Sequence, residues 1–375
     1  SGRIAGGRTG GNRPQSRRER RADLWLERSS MRTTVTVSRR ICMVVFCSGL
    51  GLLARPNPGL AGWEPGGIAR DELQALANGG QPVRFKRVSE NPPVDGVRRE
   101  VVAFEVDGLH QYALVLRPAG PAPDNGWPVL IYNHGYHPDP LQYGRVAAGR
   151  SDRPGDYYRG VPLAYARGGY VVVVPDYRGH NDSAGAGFTR SALAEFWYTR
   201  DTIGAYLALD SLPGVDPGRV YMTGHSMGGP VTQRALLALG ERVRAASIWS
   251  SSAEQPLPYL LLRALPEGAV DDTGETRKPT LDGMRRELMD TQGGATLEDL
   301  TAQPALARLQ VPLAIHHARD DATTPLSGSL AVAARLYMAG LPYGLYLYES
   351  DEHLFTGDDL RLAIERDLAW FASYP

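Results

Sequence analysis

The chain has 375 residues, of which 42% are hydrophobic and 22% are charged, and its formal net charge at pH 7 is zero. This length is sufficient for one large α/β domain. The charge is unevenly spread: residues 1–61 hold 12 arginines and 3 acidic side chains, and the remainder holds 29 basic and 38 acidic side chains. So acidic a remainder argues against nucleic acid as a partner.

The first 61 residues are interpreted as leader and targeting sequence. Residues 1–30 precede a plausible start methionine and are interpreted as a non-native leader. Residues 31–61 are interpreted as a signal peptide, with a basic segment at 31–40, an apolar segment at 41–54 and cleavage near Ala61. The apolar segment is too short to span a bilayer comfortably, although retention as an uncleaved anchor is the alternative. We therefore expect a periplasmic or secreted protein with no stable membrane anchor.

Both cysteines, Cys42 and Cys47, lie in the apolar segment of the predicted signal peptide. The mature protein would then contain no cysteine. That expectation excludes a disulfide framework, a thiol nucleophile and a thiolate metal site.

The predicted elements begin with a polar lead-in that is rich in proline and glycine. Residues 62–98 are interpreted as lying on the surface, with one short helix around 70–77. Two strands follow at 100–107 and 111–118, and the Asp-Gly pair at 107–108 predicts a hairpin between them.

Strands and helices alternate along the rest of the chain, which is interpreted as one catalytic domain over residues 99–375. Buried strands are predicted at 128–133, 170–175, 220–223, 243–250, 311–316 and 343–348. Helices are predicted at 156–167, 191–212, 230–239, 327–338 and 358–371. Right-handed crossovers would stack these elements into an open, mostly parallel sheet of about eight strands with helices on both faces.

One segment interrupts the alternation. Residues 252–309 are rich in proline, leucine, aspartate and glycine, with helical pieces at 257–265, 281–289 and 297–309, the last interrupted at Pro304. The segment lies between two strands, so we interpret it as a small lid. A surface insertion without a role is the alternative, because long insertions cost little loop entropy.

The most informative motif is Gly-His-Ser-Met-Gly at 224–228, placed between a predicted strand and a predicted helix. A serine on so sharp a turn adopts a strained backbone conformation, and Gly224 and Gly228 remove the side chains that would clash. Ser226 would then project from the end of the sheet as a nucleophile. The pattern alone is weak, and its significance depends on partners later in the chain.

A serine nucleophile needs a base and an acid that orients the base. His353 follows the last predicted strand, where such a base would lie. The acid should follow the penultimate strand, where Asp320 and Asp321 are both candidates, and counting along the strand favours Asp321. The order Ser226, Asp321, His353 is that of an α/β-hydrolase.

The oxyanion hole needs two backbone N–H donors. Met227, which follows the nucleophile, should supply one, and Tyr136, in the loop after the 128–133 strand, should supply the other. His134 is interpreted as a structural residue that braces this loop, and His225 as a residue packed beneath the serine. The pairs His134/His137 and His316/His317 lack a third ligand at a useful spacing, so no metal site is predicted.

Five segments together give a resemblance to a known family. They are Asn-His-Gly-Tyr at 133–136, Pro-Asp-Tyr-Arg-Gly-His at 175–180, Gly-His-Ser-Met-Gly-Gly at 224–229, residues 321–325, and Glu-His-Leu-Phe at 352–355. Over residues 100–375 the chain resembles the α/β-hydrolase superfamily, and within it the prolyl oligopeptidase catalytic domain and esterases similar to dienelactone hydrolase. The resemblance implies an acyl-serine mechanism without a cofactor.

Two features differ from the resemblance. About forty residues of the expected mature chain precede the fold, which leaves no room for the propeller of the large oligopeptidases. Glu352 stands where the family usually has glycine before the histidine. We expect it to alter the closure of that loop or the pKa of the histidine.

The sequence therefore predicts an exported serine hydrolase that cleaves carboxylic esters. The alternatives are a serine peptidase acting on short peptides, a transferase in which an alcohol replaces water, and a non-catalytic binding protein on a hydrolase fold. The acyl and alcohol groups and the oligomeric state are not predicted.

Overall fold

A computed structural model describes residues 67–79, 82–136, 157–251, 280–290 and 301–375. Nine strands of this part form a single sheet in the order β1-β2-β3-β5-β4-β6-β7-β8-β9. The strands are β1 Lys86–Val94, β2 Val97–Val106, β3 Leu109–Arg117, β4 Trp127–Asn133, β5 Val171–Pro175, β6 Val215–His225, β7 Ala245–Trp249, β8 Leu313–Ala318 and β9 Tyr343–Tyr348.

The sheet is parallel from β5 to β9 and antiparallel at the other edge. β5, β4, β6, β7, β8 and β9 run parallel to their neighbours. β1, β2 and β3 form an antiparallel meander, and β3 joins the rest by pairing antiparallel with β5. The predicted open, mostly parallel sheet is confirmed.

The first strand lies in the expected lead-in, where no strand is predicted, so the described residues contain nine strands where about eight are expected. β1 is an edge strand that contains Pro92 and Pro93, and its register shifts near them. Proline is tolerated there because the outer side of an edge strand needs no N–H donor. Asp95 and Gly96, with φ of +50° and +81°, make the turn to β2. Positive φ at both central residues is typical of a tight hairpin turn.

Helices cover both faces of the sheet. They are α1 Gly67–Asn78, α2 Tyr157–Arg167, α3 Ala194–Leu207, α4 Gly228–Leu239, α5 Leu281–Asp290, α6 Leu326–Met338 and α7 Gly357–Ala372. The core on one face contains side chains of α1, α3, α4 and α6, and the core on the other contains side chains of α2 and α7. The helix predicted at 191–212 is shorter: α3 ends at Leu207, and a short 3₁₀ turn, Leu209–Ser211, follows.

The predicted lid is described only in part. α5 matches the helical piece predicted at 281–289, whereas the piece at 257–265 lies outside the described residues. Residues 301–309 belong to the body of the domain, because a 3₁₀ helix, Gln303–Arg308, places the buried Leu306 and Leu309 in the core. Pro304 lies in the first turn of this 3₁₀ helix and does not interrupt a longer α-helix.

A buried carboxylate ties the last helix to the sheet. Asp367 of α7 accepts hydrogen bonds from the Tyr165 hydroxyl (2.5 Å), the Ser247 hydroxyl (2.6 Å), the Trp249 indole (2.9 Å) and the His316 ring (2.8 Å). These four donors satisfy a carboxylate that would otherwise be costly to bury. They also fix the end of β7, which lies beside the serine turn.

Among the described residues, no helix combines the length and the apolar character needed to cross a bilayer. The predicted leader and signal peptide at 1–61 lie outside the described residues.

Candidate active site

Ser226 occupies the turn between β6 and α4 in a strained conformation. Its φ is +56°, a region that side-chain-bearing residues rarely adopt, and its N–H donates to the Trp249 carbonyl at 2.9 Å. A Cβ at Gly224 would lie 2.2 Å from the Gly228 carbonyl oxygen, and a Cβ at Gly228 would lie 2.0 Å from the Asn133 carbonyl oxygen. Neither position can carry a side chain without moving the backbone, which is the steric reason for the two glycines.

Three loops at the carboxyl edge of the sheet bring Ser226, His353 and Asp321 together. The Ser226 hydroxyl lies 2.9 Å from His353 Nε2 and can donate to it. His353 Nδ1 lies 2.9 Å from Asp321 Oδ2 and can donate to that carboxylate. The three side chains come from the loops after β6, β9 and β8, so parallel strand ends account for their meeting.

The two neighbouring aspartates, Asp320 and Asp321, have different environments. Asp320 is exposed, and its N–H donates to the Ser350 carbonyl at 3.1 Å. Asp321 is 7% exposed, and its Oδ1 accepts the N–H groups of Thr323 and Thr324 at 2.8 and 2.9 Å. Burial would raise the pKa of Asp321, but the hydrogen bond and charge of His353, together with Thr324, hold that pKa well below its usual range. Asp321 is therefore the carboxylate at the histidine.

His225 supports the backbone of the loop that carries His353. The residue is buried, its Nε2 lies 2.9 Å from the His353 carbonyl oxygen, and the two rings are 4.7 Å apart. Burial, followed by the proximity of His353, lowers the pKa of His225 to about 3. The ring is therefore neutral at ordinary pH and can donate through Nε2 to that carbonyl.

This buried histidine should make the fold sensitive to acid. The folded pKa of about 3 lies below the ordinary 6.5, so between these values the unfolded chain binds more protons than the folded chain. Stability should therefore fall as pH drops from 6.5 towards 3, with His225 costing about 3 kcal/mol at pH 4 relative to pH 7. His225→Gln removes the titrating imidazole and keeps an N–H donor for the His353 carbonyl. Urea unfolding of this variant at pH 7 and pH 4 should therefore show a smaller decrease in the free energy of unfolding than wild type. The exposed His110→Gln is the matched control, and a His225→Gln loss equal to that of wild type would contradict the prediction.

The two residues predicted for the oxyanion hole lie in one small cluster. Met227 is the N-cap of α4 and is buried with Tyr177, Tyr198 and Val231, and Tyr136 packs against the same group. The structure thus brings Met227, which follows Ser226, and the loop after β4 to the same place. Their role as oxyanion donors stays a prediction.

His134 braces the loop that carries Tyr136. Its ring is fully buried and stacks on Tyr177 with centroids 4.3 Å apart. The Tyr177 hydroxyl donates to the His134 carbonyl at 3.0 Å, which fixes the backbone just before Gly135. These contacts suit the structural role expected for His134, and His137 lies outside the described residues.

The other histidine pair has protein partners on every ring nitrogen. His316 contacts the Tyr348 hydroxyl at 2.7 Å and Asp367 at 2.8 Å. His317 contacts the Ser329 hydroxyl at 2.7 Å and the Thr324 carbonyl at 2.9 Å. Both rings are thus engaged in structural hydrogen bonds.

A buried ion pair that the sequence did not indicate anchors the segment after β5. Arg178 is fully buried, donates to Asp201 at 2.7 Å, and reaches Asp107 at 2.9 Å. Burial raises the pKa of Asp201 to about 6 despite the opposing effect of Arg178. Arg178 directly follows Tyr177, the residue that stacks on His134. The motif at 175–180 does not indicate this ion pair, because Asp201 and Asp107 lie 23 and 71 positions from Arg178 in the sequence.

Glu352, which differs from the family pattern, contacts the residue that begins the last helix. Its carboxylate accepts the Thr356 N–H at 2.7 Å and the Thr356 hydroxyl at 2.5 Å. Thr356 is the N-cap of α7. A carboxylate at a helix N-terminus is favourable, so Glu352 stabilises the start of that helix.

A model of the alpha/beta hydrolase family matches residues 129–373. A curated relative, named "Uncharacterized peptidase YtmA" of Bacillus subtilis (strain 168), is 21% identical over 282 residues, which cover 74% of this chain and 95% of the relative.

Solved structures show the same fold. An acetyl xylan esterase from Paenibacillus sp. R4 matches with a TM-score of 0.54 and 20% identity, over 82% of this chain and 93% of that one. A dipeptidyl peptidase 4 from Porphyromonas gingivalis matches with a TM-score of 0.52 and 20% identity, over 74% of this chain. The present chain spans 36% of that peptidase.

The family match covers most of the chain and contains the serine turn and both loops that meet it. The sheet order and the covering helices agree with it. These comparisons support hydrolysis of a small-molecule or peptide substrate, and the chain belongs to the alpha/beta hydrolase family.

Proposed function

We propose that the protein hydrolyses carboxylic esters through an acyl-serine intermediate. The observation that supports this proposal is the continuous hydrogen-bonded series from the Ser226 hydroxyl through His353 to Asp321, with both contacts at 2.9 Å. A hydroxyl in this arrangement can lose its proton to the imidazole as it attacks a carbonyl. The strained turn at Ser226 holds the nucleophile in place before substrate binds.

The proposed reaction needs only side chains of this chain and water. Ser226 Oγ bonds to the ester carbonyl carbon while His353 Nε2 takes its proton, and the Met227 and Tyr136 amides stabilise the oxyanion. Collapse breaks the bond to the alcohol oxygen, which receives the proton from Nε2. Water then attacks the acyl-serine with the same proton transfers, and the acid leaves with Ser226 restored.

The main alternative is a serine peptidase. The curated relative carries a peptidase name and is matched over 95% of its length, whereas the structural neighbours include both esterases and peptidases. We favour esters because an alkoxide leaves the tetrahedral intermediate more readily than an amine, which must be protonated first. Export, expected from residues 31–61, stays a prediction.

A paired substrate assay tests the choice. Purified protein is given p-nitrophenyl esters and aminoacyl p-nitroanilides, with Ser226→Ala as the control for background hydrolysis. We expect kcat/KM for the best ester to exceed that for the best anilide at least about 100-fold. Fast anilide cleavage with negligible ester cleavage would favour the peptidase. An ester product formed in added alcohol would indicate a transferase.

The non-catalytic alternative has its own test. A fluorophosphonate probe labels a serine that an adjacent base activates. We expect labelling of wild-type protein at Ser226, read by mass spectrometry of the modified peptide. Absence of labelling, together with absence of turnover, would support a binding protein.

A further inference from the structure

The Asp321 carboxylate contacts a side chain besides His353. The Thr324 hydroxyl lies 2.9 Å from Asp321 Oδ2 and 2.9 Å from the Ser250 carbonyl oxygen, and 3.4 Å from His353 Nδ1. Thr324 is 3% exposed, so water competes little for its hydroxyl. A hydroxyl has one proton to donate, and here two acceptors share it.

This second contact has a definite mechanical consequence. The backbone N–H groups of Thr323 and Thr324 both donate to Oδ1 of Asp321. Donors on Oδ1 fix one oxygen, and the His353 ring that bonds Oδ2 is the group to be aligned, so it does not anchor the carboxylate. The Thr324 hydroxyl holds Oδ2, the oxygen that faces His353, and so supplies the second fixed point.

Thr324 is itself held by a buried histidine. The Thr324 carbonyl lies 2.9 Å from His317 Nε2, and His317 Nδ1 lies 2.7 Å from the Ser329 hydroxyl. A carbonyl only accepts, so Nε2 carries the proton and Nδ1 accepts from Ser329. Burial lowers the pKa of His317, which keeps the ring neutral. The loop that carries Asp321 is thus tied to α6.

The other acceptor of Thr324 lies next to the nucleophile. Ser250 is fully buried, has φ of +44°, and donates its N–H to the His316 carbonyl at 2.8 Å. The preceding residue, Trp249, accepts the Ser226 N–H. Such a conformation is costly for serine and persists because the surroundings fix it. One stretch of backbone therefore binds both the nucleophile turn and Thr324.

We propose that Thr324 is a positioning residue: its hydroxyl, held at the Ser250 carbonyl, shares its proton with Asp321 Oδ2 and keeps that oxygen directed at His353 Nδ1. The proposal rests on the proposed hydrolase function. It explains why a buried hydroxyl lies beside a carboxylate that two backbone amides already bind. The other titratable groups around this pair, His225 and His317, are neutral and cannot take over the anchoring of Oδ2 by charge.

Thr324→Val and Thr324→Ser test the proposal. Valine keeps the branched shape and removes the hydroxyl, whereas serine keeps the hydroxyl. We expect Thr324→Val to lower kcat about 10-fold or more with KM within about twofold of wild type, because the carboxylate loses its alignment. Thr324→Ser should stay within about threefold of wild-type kcat. The rate of Ser226 labelling by a fluorophosphonate, which needs no substrate, should follow the same order.

Thr199→Val is the matched control, since Thr199 is fully buried and its hydroxyl donates to the Glu195 carbonyl at 2.7 Å. It should lower the melting temperature and leave kcat unchanged. Thr324→Val with wild-type kcat and labelling rate, or Thr324→Ser as slow as Thr324→Val, would overturn the positioning role. Wild-type protein that is neither labelled nor active would overturn the hydrolase function and the positioning role together.

Discussion

Replacing Ser226 with alanine is expected to lower kcat/KM for the best ester by about 10⁴-fold or more. In the proposed mechanism the variant loses the nucleophile and keeps the oxyanion donors, so only weak residual turnover should remain. The free energy of unfolding should stay within about 1 kcal/mol of wild type, because the loss is one hydrogen bond of a half-buried hydroxyl. Steady-state kinetics and urea unfolding on the same preparation measure both quantities.

Ser211→Ala is a control for this prediction, because it should lower stability and leave activity unchanged. The Ser211 hydroxyl accepts the Phe85 N–H at 2.8 Å and donates to the Ala208 carbonyl at 2.6 Å, in the loop before β6 at the far end of the sheet. Its loss should cost about 1 kcal/mol of stability and leave kcat/KM unchanged. Ester turnover that survives in Ser226→Ala at more than a few per cent would place the chemistry elsewhere in the chain.

The parallel strands could be predicted from the sequence because they are buried on both faces and therefore form continuous apolar runs. The Val-rich run that forms β5 and the apolar start of β4 have no other stable place in an α/β domain. The sequence does not predict β1 because seven of its nine residues are polar or proline, and seven of the nine are exposed. An Asp-Gly pair at 95–96 is the same hairpin signal as the pair at 107–108, and it is the sequence feature that points to a strand before residue 95.

Strand order alone predicts that the loops carrying Ser226, His353 and one of the two aspartates meet, because it brings the ends of β6, β8 and β9 to one edge. The sequence predicts structural roles for His134 and His225 but not the atoms they contact, because those contacts join residues far apart in sequence. His225 contacts a residue 128 positions away, and Thr324 contacts Ser250 at a separation of 74. Such contacts depend on the residue at which each strand ends and its loop begins, and hydrophobic periodicity does not specify that residue.

The choice between Asp320 and Asp321 depended on this kind of detail. β8 ends at Ala318, and the next two N–H groups, of Arg319 and Asp320, donate to the Tyr348 and Ser350 carbonyls beside it. Those bonds continue the pairing with β9 for two residues and leave the Asp320 side chain exposed. The chain turns inward at the next position. If the hydrogen bonding to β9 stopped one residue earlier, Asp320 and not Asp321 would turn inward towards His353.

Asp321→Asn is expected to lower kcat about 10³- to 10⁴-fold, whereas Asp320→Asn should stay within about twofold of wild type. The amides of Thr323 and Thr324 donate to Oδ1, so the asparagine oxygen must take that position and its NH₂ group must face His353. His353 Nδ1 would then have to accept, which puts the ring proton on Nε2, where it blocks transfer from Ser226. Steady-state kinetics with the best ester measure both variants. A large loss in Asp320→Asn with a small one in Asp321→Asn would move the acid by one position and overturn the assignment made from the geometry.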